Sequence, residues 1–251
     1  MNKMKQNYTN VNLDDYEKIG LLSGGKDSIV ACLESDVKEI VYCRTGVGLN
    51  EEYVKEICKR FNWKMNIIEP KAGETYEDFI KKYQFPKPTN HKWVMAFLKF
   101  HPMRKWYIEQ KRNGRKIIFV SGIRKGESKV RKRRWKNKID IMDGMIFYKP
   151  ILDWSTGEVW VYLEEHKIKR SPIYETMHMS GDCMCGAFSS KGESGFLKMF
   201  HSEMYDYMLN LELKYGGKWG NQISLKDMEK QTIFDSFVID EDMICQECKI
   251  T

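Results

Sequence analysis

Six residues, Ser23-Gly24-Gly25-Lys26-Asp27-Ser28, stand between the apolar runs Ile19-Gly20-Leu21-Leu22 and Ile29-Val30-Ala31-Cys32-Leu33. A buried strand that passes through a glycine turn into a helix is the strongest constraint on this chain, because such a unit must join a sheet covered by helices. The two glycines let the turn curl until consecutive N–H groups converge. The helix start adds the positive end of its dipole, and Lys26 adds a mobile charge. The turn therefore predicts a cradle for phosphate. Read from Gly20, the spacing to Gly25 and Lys26 imitates a Walker A loop, but Asp27 stands where that loop places its magnesium-binding hydroxyl. A kinase-like or GTPase-like loop is disfavoured.

Strand-like runs recur at 19–22, 39–43, 65–68 and 117–120, separated by stretches of helical period at 27–34, 51–61 and 93–111. This alternation predicts an α/β fold with an open, mostly parallel, doubly wound sheet. Ligands of such sheets gather beyond the carboxyl ends of the strands, where the Ser23 loop, Thr45-Gly46 and Ser121-Gly122 converge. Asp143-Gly144, between Ile139-Asp140-Ile141 and Met145-Ile146-Phe147-Tyr148, predicts a tight hairpin. Ser155-Thr156-Gly157-Glu158 offers hydroxyls to cap a helix running to about His166. Beyond Tyr174 the character changes: methionines and two close cysteines precede a helical stretch from about Ser194 to Lys214. We expect a nucleotide-binding domain over 1–175 and a small helical, cysteine-bearing region over 176–251.

The chain of 251 residues is 42% apolar and 31% charged, and no apolar run approaches the roughly 20 residues that a bilayer span needs. Its first 18 residues lack the apolar core of a secretory leader, so a cytoplasmic protein with reduced cysteines and no membrane partner is expected. Under those conditions metal binding outranks disulfides. Cys183 and Cys185 form a C-x-C pair and Cys245 and Cys248 a C-x-x-C pair, four thiols that suit one tetrahedral site holding zinc or a 4Fe-4S cluster. The spacing does not choose between the metals. It also leaves open a redox role for Cys245 and Cys248, and Cys32, Cys43 and Cys58 read as small apolar residues. The net charge of +7 is concentrated. From Arg124 to Lys138 nine cations face one acid, Glu127, a field suited to a nucleic acid, the plainer alternative being a solvated basic loop.

The hexapeptide at Ser23 resembles the PP-loop of the adenine nucleotide alpha hydrolase superfamily, whose members cleave ATP between the alpha and beta phosphates. Further stretches over residues 17–190 resemble one branch of it, the phosphoadenosine phosphosulfate reductase family. They are Thr45-Gly46 followed by Glu51-Glu52-Tyr53, Gly122-Ile123-Arg124 with Glu127-Ser128, Pro150 to Trp154 leading to Glu158-Val159-Trp160, and Ser171-Pro172-Ile173-Tyr174. The resemblance implies that Ser23, Gly24, Gly25, Lys26, Asp27 and Ser28 hold the phosphates, with Thr45, Gly46 and Gly122 completing the nucleotide site. Arg124 and Arg131 would meet the more distal anionic group. Trp154 and Trp160 read as core aromatics.

The activity implied is an ATP pyrophosphatase that uses ATP and Mg2+, with Lys26, Asp27 and Arg124 at the reaction centre. A substrate would be adenylated and then resolved by sulfur, as in thiolation or phosphorothioation of a nucleic acid. Asp27 is either a magnesium partner or a helix N-terminal carboxylate. The ending Glu247-Cys248-Lys249-Ile250-Thr251 departs from the Glu-Cys-Gly motif of dedicated reductases, Trp93 to Lys99 lacks their cysteine pair, and Arg44 replaces an acid before Thr45-Gly46. Two alternatives stay open: a thiol-dependent reductase of an adenylyl sulfate using Cys248 with thioredoxin, and a nucleic-acid-binding component with a regulatory nucleotide site. A sulfur-donor protein is an implied partner of the first activity. Nothing in the sequence sets the oligomeric state.

Overall fold

The computed structural model describes residues 11–189, 192–220 and 224–229. In chain order its elements are β1 (Glu17–Leu21), α1 (Lys26–Glu34), β2 (Glu39–Cys43), α2 (Glu51–Arg60), β3 (Lys64–Ile68), α3 (Tyr76–Tyr83), α4 (His91–Met95) and α5 (His101–Arg112). They continue with β4 (Ile117–Val120), α6 (Lys129–Arg134), β5 (Ile139–Met142), β6 (Met145–Tyr148), α7 (Thr156–Glu165), α8 (Pro172–Met177), α9 (Glu193–Phe200), α10 (Ser202–Tyr215) and α11 (Leu225–Met228). The described chain packs as two compact units that interleave along the sequence. The first takes residues 11–42, 52–68 and 103–170; the second takes 43–51, 69–102 and the described residues from Ser171 onward.

The first unit carries a six-stranded sheet of order β3-β2-β1-β4-β6-β5. β1 pairs in parallel with β2 and β4, and β4 with β6, while β5 and β6 form an antiparallel hairpin. The fold is the expected α/β class with an open, mostly parallel sheet. All four residues of β4 are buried, as a strand covered on both faces requires. Ile29, Val30, Ile40, Val54, Val120, Ile151, Val159 and Leu163 form the core between sheet and helices. The hairpin turns where expected, and both turn residues take positive φ, Asp143 at 49° and Gly144 at 79°, the pattern that matches strand twist. Cys32 is wholly buried. A Cβ on Gly20 would lie 2.5 Å from its sulfur, so the thiol fills the space the glycine leaves, and burial drives its pKa well up. It is the apolar packing residue the sequence predicts.

The second unit is helical. Tyr76, Phe79, Ile80, Leu98, Leu197, Tyr205, Met208, Leu211 and Trp219 make its core. Thr75 and Asp78 cap α3 reciprocally, each side chain accepting from the other's backbone N–H. The helix expected over 93–111 is α4, a π-helical turn over Ala96–Phe100, and α5. Pro102 supplies the reason: it has no N–H for the carbonyl one turn earlier, and a widened turn relieves the clash of its ring. The stretch expected from Ser194 to Lys214 is two helices, α9 and α10, broken at His201, whose φ of −141° is not helical.

Candidate nucleotide site at the switch point of the sheet

The chain leaves β1 for β2 on one side and later enters β4 on the other, so the sheet's order reverses between β1 and β4. Loops leaving those two strands frame the crevice where open α/β sheets bind ligands. The loop after β1 is the Ser23–Ser28 turn. Gly24 takes φ of 84°, which a side chain would resist, and Gly25 is the N-cap of α1 with extended backbone. The Ser28 hydroxyl donates to the Gly25 carbonyl at 2.7 Å and accepts from the Ser23 amide at 3.3 Å, while Ser23 Oγ accepts from the Gly25 amide at 3.3 Å. The two serines thus hold the turn from within. Gly25 offers the first amides of α1 no side-chain cap, and they sit at the positive end of the helix dipole.

Gly122, in the loop after β4, lies against that turn. A Cβ built there would come within 2.5 Å of the Asp27 carbonyl carbon and oxygen and 2.6 Å of the Ser28 amide. Two residues on, Arg124 is only 1% exposed, the largest fully buried side chain among the described residues. Its Nε donates to Asp27 Oδ1 at 2.7 Å and its Nη2 to Oδ2 at 3.3 Å; Nη1 donates to the Trp154 carbonyl and Thr156 Oγ1, both at 3.3 Å. The guanidinium is committed to protein acceptors. Its backbone N–H donates to Glu127 at 3.0 Å, and Glu127 also pairs with Arg131. Burial holds the Glu127 carboxyl above its usual range, against the opposing pull of Arg131 and the Arg124 amide.

Lys26 lies 3.8 Å from Asp27 and 5.6 Å from the centre of the Trp160 ring, and Arg170 covers that ring at 4.1 Å. Trp160 packs half-buried against the core, as expected, and also carries two cations. The sequence carries no sign of this pairing, because Lys26 lies far along the chain from Trp160 and Arg170.

A family model for the phosphoadenosine phosphosulfate reductase domain matches residues 18–188. The chain belongs to that family. Two uncharacterized proteins of Methanocaldococcus jannaschii are 29% and 23% identical to it over 220 and 202 residues, or 81% and 77% of this chain and 44% and 47% of theirs. The adenosine 5'-phosphosulfate reductase of Bacillus cytotoxicus is 26% identical over 147 residues, 58% of this chain and 60% of that one. The chain therefore spans about half the length of the first curated relatives it matches. A crystal structure of phosphoadenylyl-sulfate reductase from Candida auris, in complex with phosphate, is 18% identical. That match covers 63% of this chain and 77% of the other, with a TM-score of 0.46.

The second unit of this reductase-family chain holds Thr45, Gly46, Cys183 and Cys185. Thr45 is buried, its hydroxyl accepting from the Val47 amide at 3.3 Å, and Gly46 takes φ of 76°. Arg44, in place of an acid, holds Glu51 by two bonds of 2.6 Å and also meets Glu69. Gly46, Gly48 and Leu49 line an open recess of about 590 Å3 together with His201, Glu203 and Tyr207. The loop from Val47 to Asn50 is zipped to the cysteine segment. The Met184 amide donates to the Val47 carbonyl at 2.6 Å, the Leu49 amide to the Gly181 carbonyl at 2.8 Å, and buried Asn50 accepts from the Ser171 hydroxyl at 2.6 Å.

Cys183 and Cys185 are hydrogen-bonded to each other. That bond and burial drive the Cys183 thiol up, while the bond from Cys183, opposed by burial and assisted by His91 and the Ala187 amide, lowers Cys185. Lys99, which the sequence did not single out, pairs with Asp182 beside them. Two adjacent soft sulfurs fit half of a thiolate metal site. Cys245 and Cys248 lie outside the described residues, and among the described residues no group of three or more His, Cys, Asp or Glu side chains is placed to hold a metal ion. No helix among them is long and apolar enough to cross a membrane.

Proposed function

We propose that this chain binds ATP on the Ser23–Ser28 turn and cleaves it at the alpha phosphate, adenylating a substrate for sulfur transfer. The observation that carries this proposal is the lysine-tipped turn itself. Its hydroxyls are bonded inward, its helix-start amides have no side-chain cap from Gly25, and Lys26 stands on it beside Asp27. A substrate oxygen attacks the alpha phosphorus, the bond to the bridging oxygen breaks, and pyrophosphate leaves with the electron pair. The amides and Lys26 stabilise charge building on the phosphoryl oxygens, which needs no strong base. Arg124 serves as a positioning residue: it fixes Asp27, and with it the first turn of α1, without reaching the reacting atoms.

Of the two roles open to Asp27, the geometry supports the helix-terminal carboxylate. Both oxygens already face Arg124, and Lys26 is near, so Asp27 does not fit a magnesium ion. Cys183 and Cys185, with Cys245 and Cys248, are the proposed ligands of zinc or a 4Fe-4S cluster. Such a centre would supply either a structural clamp or a place to hold sulfur.

The purified chain incubated with ATP is expected to release AMP and pyrophosphate, measured by chromatography, and Lys26→Ala to slow that release by about 10²-fold or more. Equal rates in the two proteins would overturn the assignment of Lys26. Sulfite release from an adenylyl sulfate in the presence of thioredoxin, without AMP from ATP, would replace the proposal with the reductase reading, which the Bacillus relative's name favours.

A further inference from the structure

The nine cations between Arg124 and Lys138 fall into two groups that the sequence does not separate. Three are taken up by the protein: Arg124 by Asp27, Lys125 by Asp153 at 2.6 Å, and Arg131 by Glu127. The other six, Lys129, Lys132, Arg133, Arg134, Lys136 and Lys138, are all exposed. None has a carboxylate within ion-pair distance among the described residues. Residues 129, 132 and 133 share one face of α6, since positions three and four apart lie side by side on a helix. The short helix has a firm footing. Ser128 caps it by accepting from the Arg131 amide at 3.1 Å, and Arg131 ties it through Glu127 to the Arg124 backbone. Beside it Arg134 lies 4.9 Å from the centre of the Trp135 ring and the fully buried Lys149, itself neutralised by Asp140, 5.0 Å from it.

Six like charges within ten residues repel one another, and no acid among the described residues offsets them. A surface that keeps this cost, with Arg134 alone of the six set against an aromatic ring, is built for an external polyanion. A membrane surface fits poorly, because an interfacial helix needs a broad apolar face and α6 carries one exposed apolar residue, Val130. We propose that α6, with Lys136 and Lys138, is a docking surface for the sugar–phosphate backbone of a nucleic acid. The surface begins at Lys129, not at Arg124, and binding to it does not depend on nucleotide cleavage. Through Glu127 and Arg124 it is joined to the Asp27 end of the phosphate turn, so a bound strand is held by the same framework that orients that turn.

The test is fluorescence anisotropy of the full chain with labelled duplex DNA, single-stranded DNA and RNA between 50 and 200 mM salt, with anionic phospholipid vesicles as a fourth arm. Contact by up to six cations gives a slope of log affinity on log salt no steeper than about −5 for duplex and about −4 for a single strand. The variant Lys132→Gln/Arg133→Gln/Lys136→Gln is expected to weaken binding by tenfold or more at 100 mM salt and to reduce the slope by about 2–3. Lys125→Gln, whose partner is Asp153, is expected to leave the slope unchanged. All four side chains lie off the core, and an unchanged melting temperature will show that the variants fold. Affinity for none of the three nucleic acids at 50 mM salt, affinity for vesicles alone, or binding that the triple variant leaves intact would each overturn the proposal.

Discussion

Asp27 and Arg124, 97 residues apart in sequence, form a two-pronged ion pair at the carboxyl ends of neighbouring strands β1 and β4. Removing Arg124 leaves the carboxylate at the head of α1 without its partner in a site that admits little water. Arg124→Ala is expected to destabilise the chain by about 3–5 kcal/mol in chemical denaturation, the cost of stranding one half of a buried pair. Replacing both residues by Asp27→Asn/Arg124→Met should cost less than Arg124→Ala alone. A neutral effect of Arg124→Ala would show that the pair does not hold the loops together.

Gly122→Ala places a methyl group against backbone atoms of Asp27 and Ser28, which have no side-chain freedom with which to yield. The expected loss is about 1–3 kcal/mol of stability, with weaker nucleotide binding by calorimetry because the turn itself is pushed aside. Gly144→Ala, with open space around it, should cost stability through its positive φ and leave nucleotide affinity unchanged.

At the opposite ends of the strands, Arg115 bridges Glu17 and Glu39, with Asn66 also donating to Glu39. Burial works to raise the Glu39 pKa, but the bonds from Arg115 and Asn66 outweigh it and hold the carboxyl below its ordinary 4.5. A depressed folded-state pKa gives stability that is fully present above 4.5 and is lost as pH falls through the lower, folded value. Glu39→Gln should therefore melt below the parent chain at pH 7, by an amount equivalent to about 1–3 kcal/mol, and the gap should narrow below pH 4.5. A gap constant from pH 7 to pH 3 would refute the linkage.

Much of this was legible in the sequence. The glycine turn sits between a strand and a helix, the sheet is parallel, and the Asp143-Gly144 hairpin forms, because each depends on local conformational preference and on periodicity of burial. Cys32 was legible for the same reason, being one apolar position among several on a helix. Other features carried no local signal. Arg124 read as a residue facing an anionic ligand, since a lone arginine does not announce which carboxylate the fold will bring to it. Lys149, buried behind Trp135, and Lys99, beside Asp182, were overlooked because burial of a charge follows from its partner and not from its neighbours in sequence.

The chain by itself determined where phosphate-binding chemistry can form, because backbone amides converge wherever glycines permit the turn and a helix follows. Tertiary structure alone decided how the charges are used. Three of the basic cluster's cations pair with internal carboxylates and the other six have none among the described residues, and Asp27 belongs to an arginine 97 residues away. Ion pairing acts over a few ångströms of space, and only the packed fold sets those distances.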